Sequence, residues 1–143
     1  MSNYRQLLVA IDLSDQSRDI AAKSVELARQ WQAQLRLLHV IEYVPVEPMS
    51  DALVPVVQID EAVVARSRKQ IRALATALGI DPECCLVASG NVKGEILRQA
   101  RETGADLIVL GCRERHGLSI LVNLTEDTVL HGAPCDVLAM RVR

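Results

Sequence analysis

The chain has 143 residues, half of them hydrophobic and 24% charged, and its formal net charge is −2. This length fits a single domain spanning residues 1–143. The nearly balanced charge, with no run of Lys and Arg interleaved with aromatic residues, argues against nucleic acid as a direct partner. Because the chain has one Trp, two Tyr and no Phe, its core must be built mainly from Leu, Ile, Val and Ala.

The sequence has no features of a membrane or metal-binding protein. No charged-then-apolar signal pattern opens the chain, and no apolar stretch approaches the roughly 20 residues that span a bilayer. We therefore expect a cytoplasmic protein without membrane contact. The cysteines at positions 84, 85, 112 and 135 lack the spacing of a zinc site or a disulfide framework, so we expect no metal and reduced, structural thiols.

The first strand and helix are indicated by an unbroken apolar run at 6–11 that ends at Asp12. Such a run predicts a central strand that is buried on both faces. Ser14 and Asp15 supply caps for a helix over about 16–32. This segment is the first βα unit.

The second unit combines a strand at 35–40 with a helix at about 59–78. Between them, three prolines within 42–58 block regular helix. Gly79 stands where a helix C-terminal cap belongs. A third strand is predicted near 84–88.

The last part of the chain repeats the alternation. We predict a turn at 89–91, a helix that ends near Gly104, a strand at 106–111, a helix over about 123–131 and a strand at 135–142. The resulting β-α-β-α-β-α-β-α-β order predicts an α/β fold with a doubly wound parallel sheet and helices on both faces. The ligand crevice of such a sheet lies beyond the carboxyl ends of its strands, so the loops at 12–15 and 111–123 are the candidates.

Five blocks of the sequence resemble the universal stress protein family in order and spacing. They are residues 7–14 (LLVAIDLS), 35–40 (LRLLHV), 94–97 (GEIL), 105–111 (ADLIVLG) and 132–138 (GAPCDVL). The resemblance implies one adenine nucleotide alpha hydrolase-like domain, with a five-stranded parallel sheet of order 3-2-1-4-5. It also implies a homodimer in which the last strand, Val137 to Val142, pairs across a twofold axis.

Many members of that family bind ATP through Gly-x-x-Gly, nine further residues and Gly-Ser or Gly-Thr. Here only the first glycine is present, as Gly111, while Glu114 takes the place of the second glycine and Asn123-Leu124 the place of the last pair. A carboxylate beside a triphosphate is unfavourable. In this respect the chain is similar to the universal stress protein A type, which implies no cofactor.

Binding of ATP or AMP through a modified loop remains the alternative. The resemblance places Asp12 and Val40 at the positions that contact adenine and ribose in nucleotide-binding members. Gly111, Arg113 and Asn123 would complete that site, with Arg115 compensating for lost backbone contacts. Asp12 has a second interpretation, since a carboxylate after a strand also caps the next helix.

Other residues that could carry chemistry have simpler structural interpretations. Residues 90–94 (GNVKG) lack the spacing of a phosphate-binding Walker motif and are typical of a helix entry. His39, inside an apolar strand, is predicted to be a core histidine. Cys112 beside Arg113 could be a reactive thiol, although an ordinary half-buried cysteine is the simpler interpretation.

Two functions follow from these observations. The first is a dimeric stress-response and signalling module without its own catalytic centre and without tight ATP binding. The second is an ATP-binding or AMP-binding member with at most slow ATP hydrolysis. An enzyme of the dinucleotide type is excluded, because residues 12–15 (DLSD) stand where Gly-x-Gly-x-x-Gly would be required.

Overall fold

A computed structural model describes residues 4–42, 60–113, 129 and 131–142. The strands are β1 (Gln6–Ala10), β2 (Gln34–Glu42), β3 (Cys85–Gly90), β4 (Leu107–Arg113) and β5 (Asp136–Val142). The helices are α1 (Asp15–Trp31), α2 (Glu61–Ala77) and α3 (Val92–Thr103), and a single 3-10 turn, Pro82–Cys84, precedes β3. Positions 129, 131 and 132 are helical, within or just beyond the helix predicted at 123–131.

The five strands form one parallel sheet of order β3-β2-β1-β4-β5. This confirms the predicted strand order. The winding direction reverses between β1 and β4, where Leu7 pairs with Leu107 and Val9 with Val109. A crevice is therefore expected at the carboxyl ends of these two strands.

Each face of the sheet carries its own apolar cluster. On one face Val9 and Leu37 pack with residues of α1 and α2, such as Ile20 and Ile71. On the other face the strands pack with α3 through Ile96. Because side chains alternate along a strand, one run such as residues 7–11 supplies both clusters, and helices cover both faces as predicted.

Several predicted boundaries are wrong by a few residues. The strand β2 continues to Glu42, inside the segment assigned to a loop, and the rest of that 42–58 loop lies outside the described residues. Ser89 and Gly90 belong to β3 rather than to a turn. The two strands pair with each other here, Ile41 with Ser89 and Glu42 with Gly90. This pairing carries both strands past their last apolar residue, which is the signal that sequence alone offers.

Candidate functional site

A cavity of about 280 Å³ lies at the carboxyl ends of β1, β2 and β4. The first turns of α1 and α3 close its sides. This is the crevice that the reversal of winding predicts. Its lining is mainly apolar with several polar side chains: Ala10, Ile11, Asp12, Ser14, Gln16, Ser17, Ile20, Leu38, His39, Val40, Glu42, Val92, Ile96, Leu110 and Gly111.

The structure brings three of the five predicted site residues together. Asp12, Val40 and Gly111 all line this one cavity, each from a different strand end. Arg113 is the last residue of β4, two positions beyond Gly111, and nothing is described of its side chain. Asn123 lies outside the described residues. Three of the five predicted residues therefore line one cavity. The role of all five in ligand binding stays a prediction.

The turn between β1 and α1 is organised by Asp12. Its Oδ1 accepts hydrogen bonds from the Ser14 backbone N–H at 2.9 Å and from the Ser17 hydroxyl. The helix cap itself is Ser14, whose hydroxyl accepts from the Ser17 N–H. Leu13 between them adopts a left-handed φ of 63°. The carboxylate of Asp12 thus braces the turn that precedes the cap, while the side chain stays exposed at the cavity.

The described lining of the cavity carries negative formal charge. Asp12 and Glu42 contribute carboxylates, and no Lys or Arg belongs to the lining within the described part of the chain. Carboxylates accept hydrogen bonds only. This wall can hold hydroxyl or amino groups of a ligand, and within the described residues it offers a phosphate group no Lys or Arg side chain.

Sequence reasoning missed two lining residues, His39 and Glu42. His39 was predicted to be a core histidine, but it is only partly buried and lines the cavity. Its Nδ1 lies 2.9 Å from the backbone oxygen of Ile11. The available signal was its position next to Val40, close to the carboxyl end of a central strand.

The start of α3 forms another side of the cavity. Asn91 caps this helix, and its Oδ1 accepts from the Gly94 N–H at 3.0 Å. Val92 and Ile96 supply apolar side chains to the cavity. Residues 90–94 therefore form a helix entry, as predicted, rather than a Walker-type loop. Glu114 and the rest of the predicted phosphate loop lie outside the described residues.

Within the described ranges, no group of three or more His, Cys, Asp or Glu side chains could hold a metal ion. Over the same residues, none of the helices combines the length and apolar character that crossing a bilayer requires.

With this geometry in place, comparison with known proteins identifies the family. Residues 3–141 match the model of the universal stress protein family. The chain belongs to the universal stress protein family. The resemblance seen in the five sequence blocks is thereby confirmed.

Two curated relatives come from Coxiella burnetii. Universal stress protein A homolog 2 is 35% identical over 144 residues, with 100% of this chain and 99% of that protein covered. Universal stress protein A homolog 1 is 33% identical over 139 residues, with 96% of each covered. Both relatives are named as homologues of universal stress protein A, which is the type that the degenerate loop resembles.

Solved structures of the family share the fold. Universal stress protein UspA from Lactobacillus plantarum superposes with a TM-score of 0.74 at 26% identity and is covered fully, as is this chain. A universal stress protein solved in complex with cAMP superposes with a TM-score of 0.68 at 22% identity, with 98% of each chain covered. The second likeness concerns the fold alone.

Proposed function

We propose that this universal stress protein is a dimeric, non-catalytic signalling module that binds a small adenosine-type ligand in the strand-end cavity and does not bind ATP tightly. The observation that carries the proposal is the composition of the cavity wall. An apolar base is combined there with two carboxylates, Asp12 and Glu42. Such a wall suits a flat apolar group that carries hydroxyls better than it suits a polyphosphate.

The size of the cavity supports the same ligand class. Its volume of about 280 Å³ lies just below the roughly 300–1,000 Å³ typical of ligand pockets, which favours a small ligand. A universal stress protein of the same fold was solved with cAMP, which supports testing adenosine derivatives first. Glu114, in place of a phosphate-loop glycine, weighs against a triphosphate.

The absence of a catalytic centre is part of the proposal. The Ser17 hydroxyl donates to Asp12, as a nucleophile would to a base. However, Ser17 is only 3% exposed, so its oxygen serves the turn rather than a substrate. We place the module in the cytoplasm, where the free thiols of Cys84, Cys85 and Cys135 would be kept reduced.

The test is calorimetric titration of nucleotide-stripped protein with adenosine, AMP, cAMP and ATP in the presence of magnesium. We expect saturable binding of adenosine and no gain in affinity from AMP to ATP. Asp12→Asn should weaken binding by roughly 10- to 150-fold, because a hydrogen bond to a charged group contributes roughly 1.5–3 kcal/mol. The matched control is Asp15→Asn, an exposed neighbour that does not line the cavity.

The second candidate function is ATP or AMP binding through a modified loop, with at most slow hydrolysis. It is favoured by Gly111 at the cavity wall and by Arg113 at the end of the same strand. Micromolar ATP binding that is lost on substitution of Arg113 and Arg115 would replace the first proposal with this one. If no adenosine derivative produces heat at millimolar concentration, both ligand proposals are wrong.

A further inference from the structure

One peptide group at the cavity is held by side chains from two different elements. The C=O of Ile11 and the N–H of Asp12 belong to the same planar peptide unit. The oxygen accepts from His39 Nδ1 on β2 at 2.9 Å, and the N–H donates to Ser17 Oγ on α1 at 3.1 Å. Two bonds at opposite edges of a planar group fix its rotation about the chain.

The His39 bond also defines the tautomer of the ring. A carbonyl oxygen only accepts hydrogen bonds, so Nδ1 must carry the proton. Regular pairing of β1 with β2 ends at Ala10 and Leu38, and the Ile11 N–H still donates to the Leu38 oxygen at 2.8 Å. His39 therefore continues the connection between the strands with a side chain, one residue beyond the end of β1.

The orientation of Asp12 depends on this peptide. Asp12 is followed by Leu13 in the left-handed region, a conformation that costs a residue with a side chain free energy. The Asp12 carboxylate accepts two hydrogen bonds and the Asp12 N–H donates one, and together these bonds hold the turn in place. Freeing the Ile11 carbonyl would let the peptide rotate and move the carboxylate relative to the cavity.

We propose that His39 is a positioning residue of the ligand site, which sets the direction of the Asp12 carboxylate by holding the Ile11–Asp12 peptide through Nδ1–H. The ligand-binding part of this inference rests on the proposed function. Direct contact of the ligand with the other ring nitrogen, Nε2, is the rival role. The two roles assign importance to different nitrogens, so they can be separated by substitution.

Three variants of His39 place a side-chain amide near the position of Nδ1, near the position of Nε2, or at neither position. Asn can put its amide N–H near the position of Nδ1, Gln reaches the position of Nε2, and Leu offers no donor. His39→Asn should bind adenosine as the unaltered protein does. His39→Gln and His39→Leu should bind it about 3- to 10-fold more weakly, the effect of one hydrogen bond.

A second measurement works without any ligand. In hydrogen exchange followed by NMR, the Asp12 amide should exchange on the order of 10-fold faster in His39→Leu and His39→Gln than in His39→Asn. The amides of Val9 and Val109 in the sheet centre should not change. A general loss of stability would accelerate all three amides, so the pattern separates positioning from a merely structural role.

The outcomes that overturn the proposal are distinct. If His39→Gln retains adenosine affinity and His39→Asn loses it, Nε2 contacts the ligand and the positioning role is wrong. If Asp12 exchange is the same in all three variants, the peptide is not held by His39. Should the unaltered protein bind no adenosine, the proposed function fails, while the exchange measurement still decides whether His39 positions Asp12.

Discussion

The hydroxyl of Tyr4 donates a 2.7 Å hydrogen bond to Oδ2 of Asp136, the first residue of β5. This contact joins the segment before β1 to the strand at the sheet edge. Trp31 at the end of α1 packs against the Tyr4 ring in a tilted arrangement, with 5.0 Å between the ring centroids. The bond to Asp136, together with the negative charge of Asp136 and Asp106, raises the pKa of Tyr4.

The raised pKa of Tyr4 predicts how stability changes at high pH. A tyrosine whose pKa is higher in the folded than in the unfolded chain binds its proton more tightly when folded. Its contribution to stability is complete below about pH 10, the ordinary tyrosine pKa. That contribution is lost as the pH rises through the folded-state value.

The measurement is urea unfolding of the unaltered protein and of Tyr4→Phe between about pH 8 and pH 11. The difference between their unfolding free energies should be constant below about pH 9 and shrink above about pH 10. Subtracting the two unfolding free energies cancels the contributions of the titrating groups that both proteins share. A constant difference over the whole range would show that Tyr4 does not keep the Asp136 bond in solution.

Helix ends give a second, matched prediction. The cap of α1 is Gln32, at φ 54°, and the cap of α3 is Gly104, at φ 65°. A left-handed conformation costs a residue with a side chain roughly 1–2 kcal/mol, part of which is offset because glycine has more freedom in the unfolded chain. Gln32 is exposed, so little packing is lost when its side chain is removed.

We expect Gln32→Gly to stabilise the protein by about 0.5 kcal/mol and Gly104→Ala to destabilise it by about 1 kcal/mol. A Cβ at position 104 would meet no heavy atom within 4 Å, so the second effect reports backbone conformation alone. Gln32→Ala is the control and should stay within about 0.5 kcal/mol of the unaltered protein. Denaturant midpoints at equal m-value measure all three, and equal stability of the Gly and Ala variants at 32 would contradict the argument.

Most of the fold could be predicted from the sequence, because it follows from local patterns. The apolar runs at 6–11 and 106–111 predicted the two central strands, and Gly104 marked the end of a helix that the structure confirms. Strand order came from the family resemblance. Asp12 and Gly111 were found as cavity residues because the carboxyl end of a parallel strand is defined by chain direction alone.

The roles of His39 and Tyr4 could not be predicted in the same way. Alternation along β2 gives the face of the sheet on which His39 lies, but not that β1 ends where the ring can reach the Ile11 carbonyl. That depends on the register and relative length of two strands. Tyr4 and Asp136 are separated by 132 positions, so only the closed sheet brings them together.

Thiol reactivity gives a third prediction. Burial raises the pKa of the Cys85 thiol, against the lowering effect of Arg72, and its Sγ donates to the Ile71 oxygen. Burial likewise raises the pKa of Cys135, with Asp136 and Asp106 adding negative charge nearby. The thiolate is the reactive form, so both residues should react more slowly than an ordinary cysteine.

A pulse of iodoacetamide near pH 8, followed by peptide mass spectrometry, measures the rates. Cys85 and Cys135 should be alkylated several-fold more slowly in the folded protein than in urea. The difference should narrow as the pH is raised well above the ordinary cysteine pKa of about 8.5, because the raised pKa only delays the ionisation of the folded thiols. Equal rates in the folded and unfolded chain at pH 8 would contradict the assigned environments.

The exposed edge of β5 gives the last prediction, which concerns the proposed dimer. Within the described sheet β5 pairs with β4 on one side only, and Val137, Leu138 and Met140 are partly exposed. An unpaired edge with apolar side chains favours pairing with a second copy. In a twofold dimer, a charge introduced on β5 of one protomer lies close to the same charge on β5 of its partner. Like charges on facing strands are destabilising.

Ala139→Glu should therefore lower the mass measured by light scattering from twice 15.7 kDa toward the single-chain value as the protein is diluted. Ala65→Glu on α2 is the matched control, since it adds the same charge at another exposed alanine and should leave the mass at that of the unaltered protein. A circular dichroism spectrum of each variant checks that the fold is kept. If Ala139→Glu keeps the dimer mass on dilution, or if the unaltered protein is monomeric, pairing through β5 is wrong and the module must reach its partners through another surface.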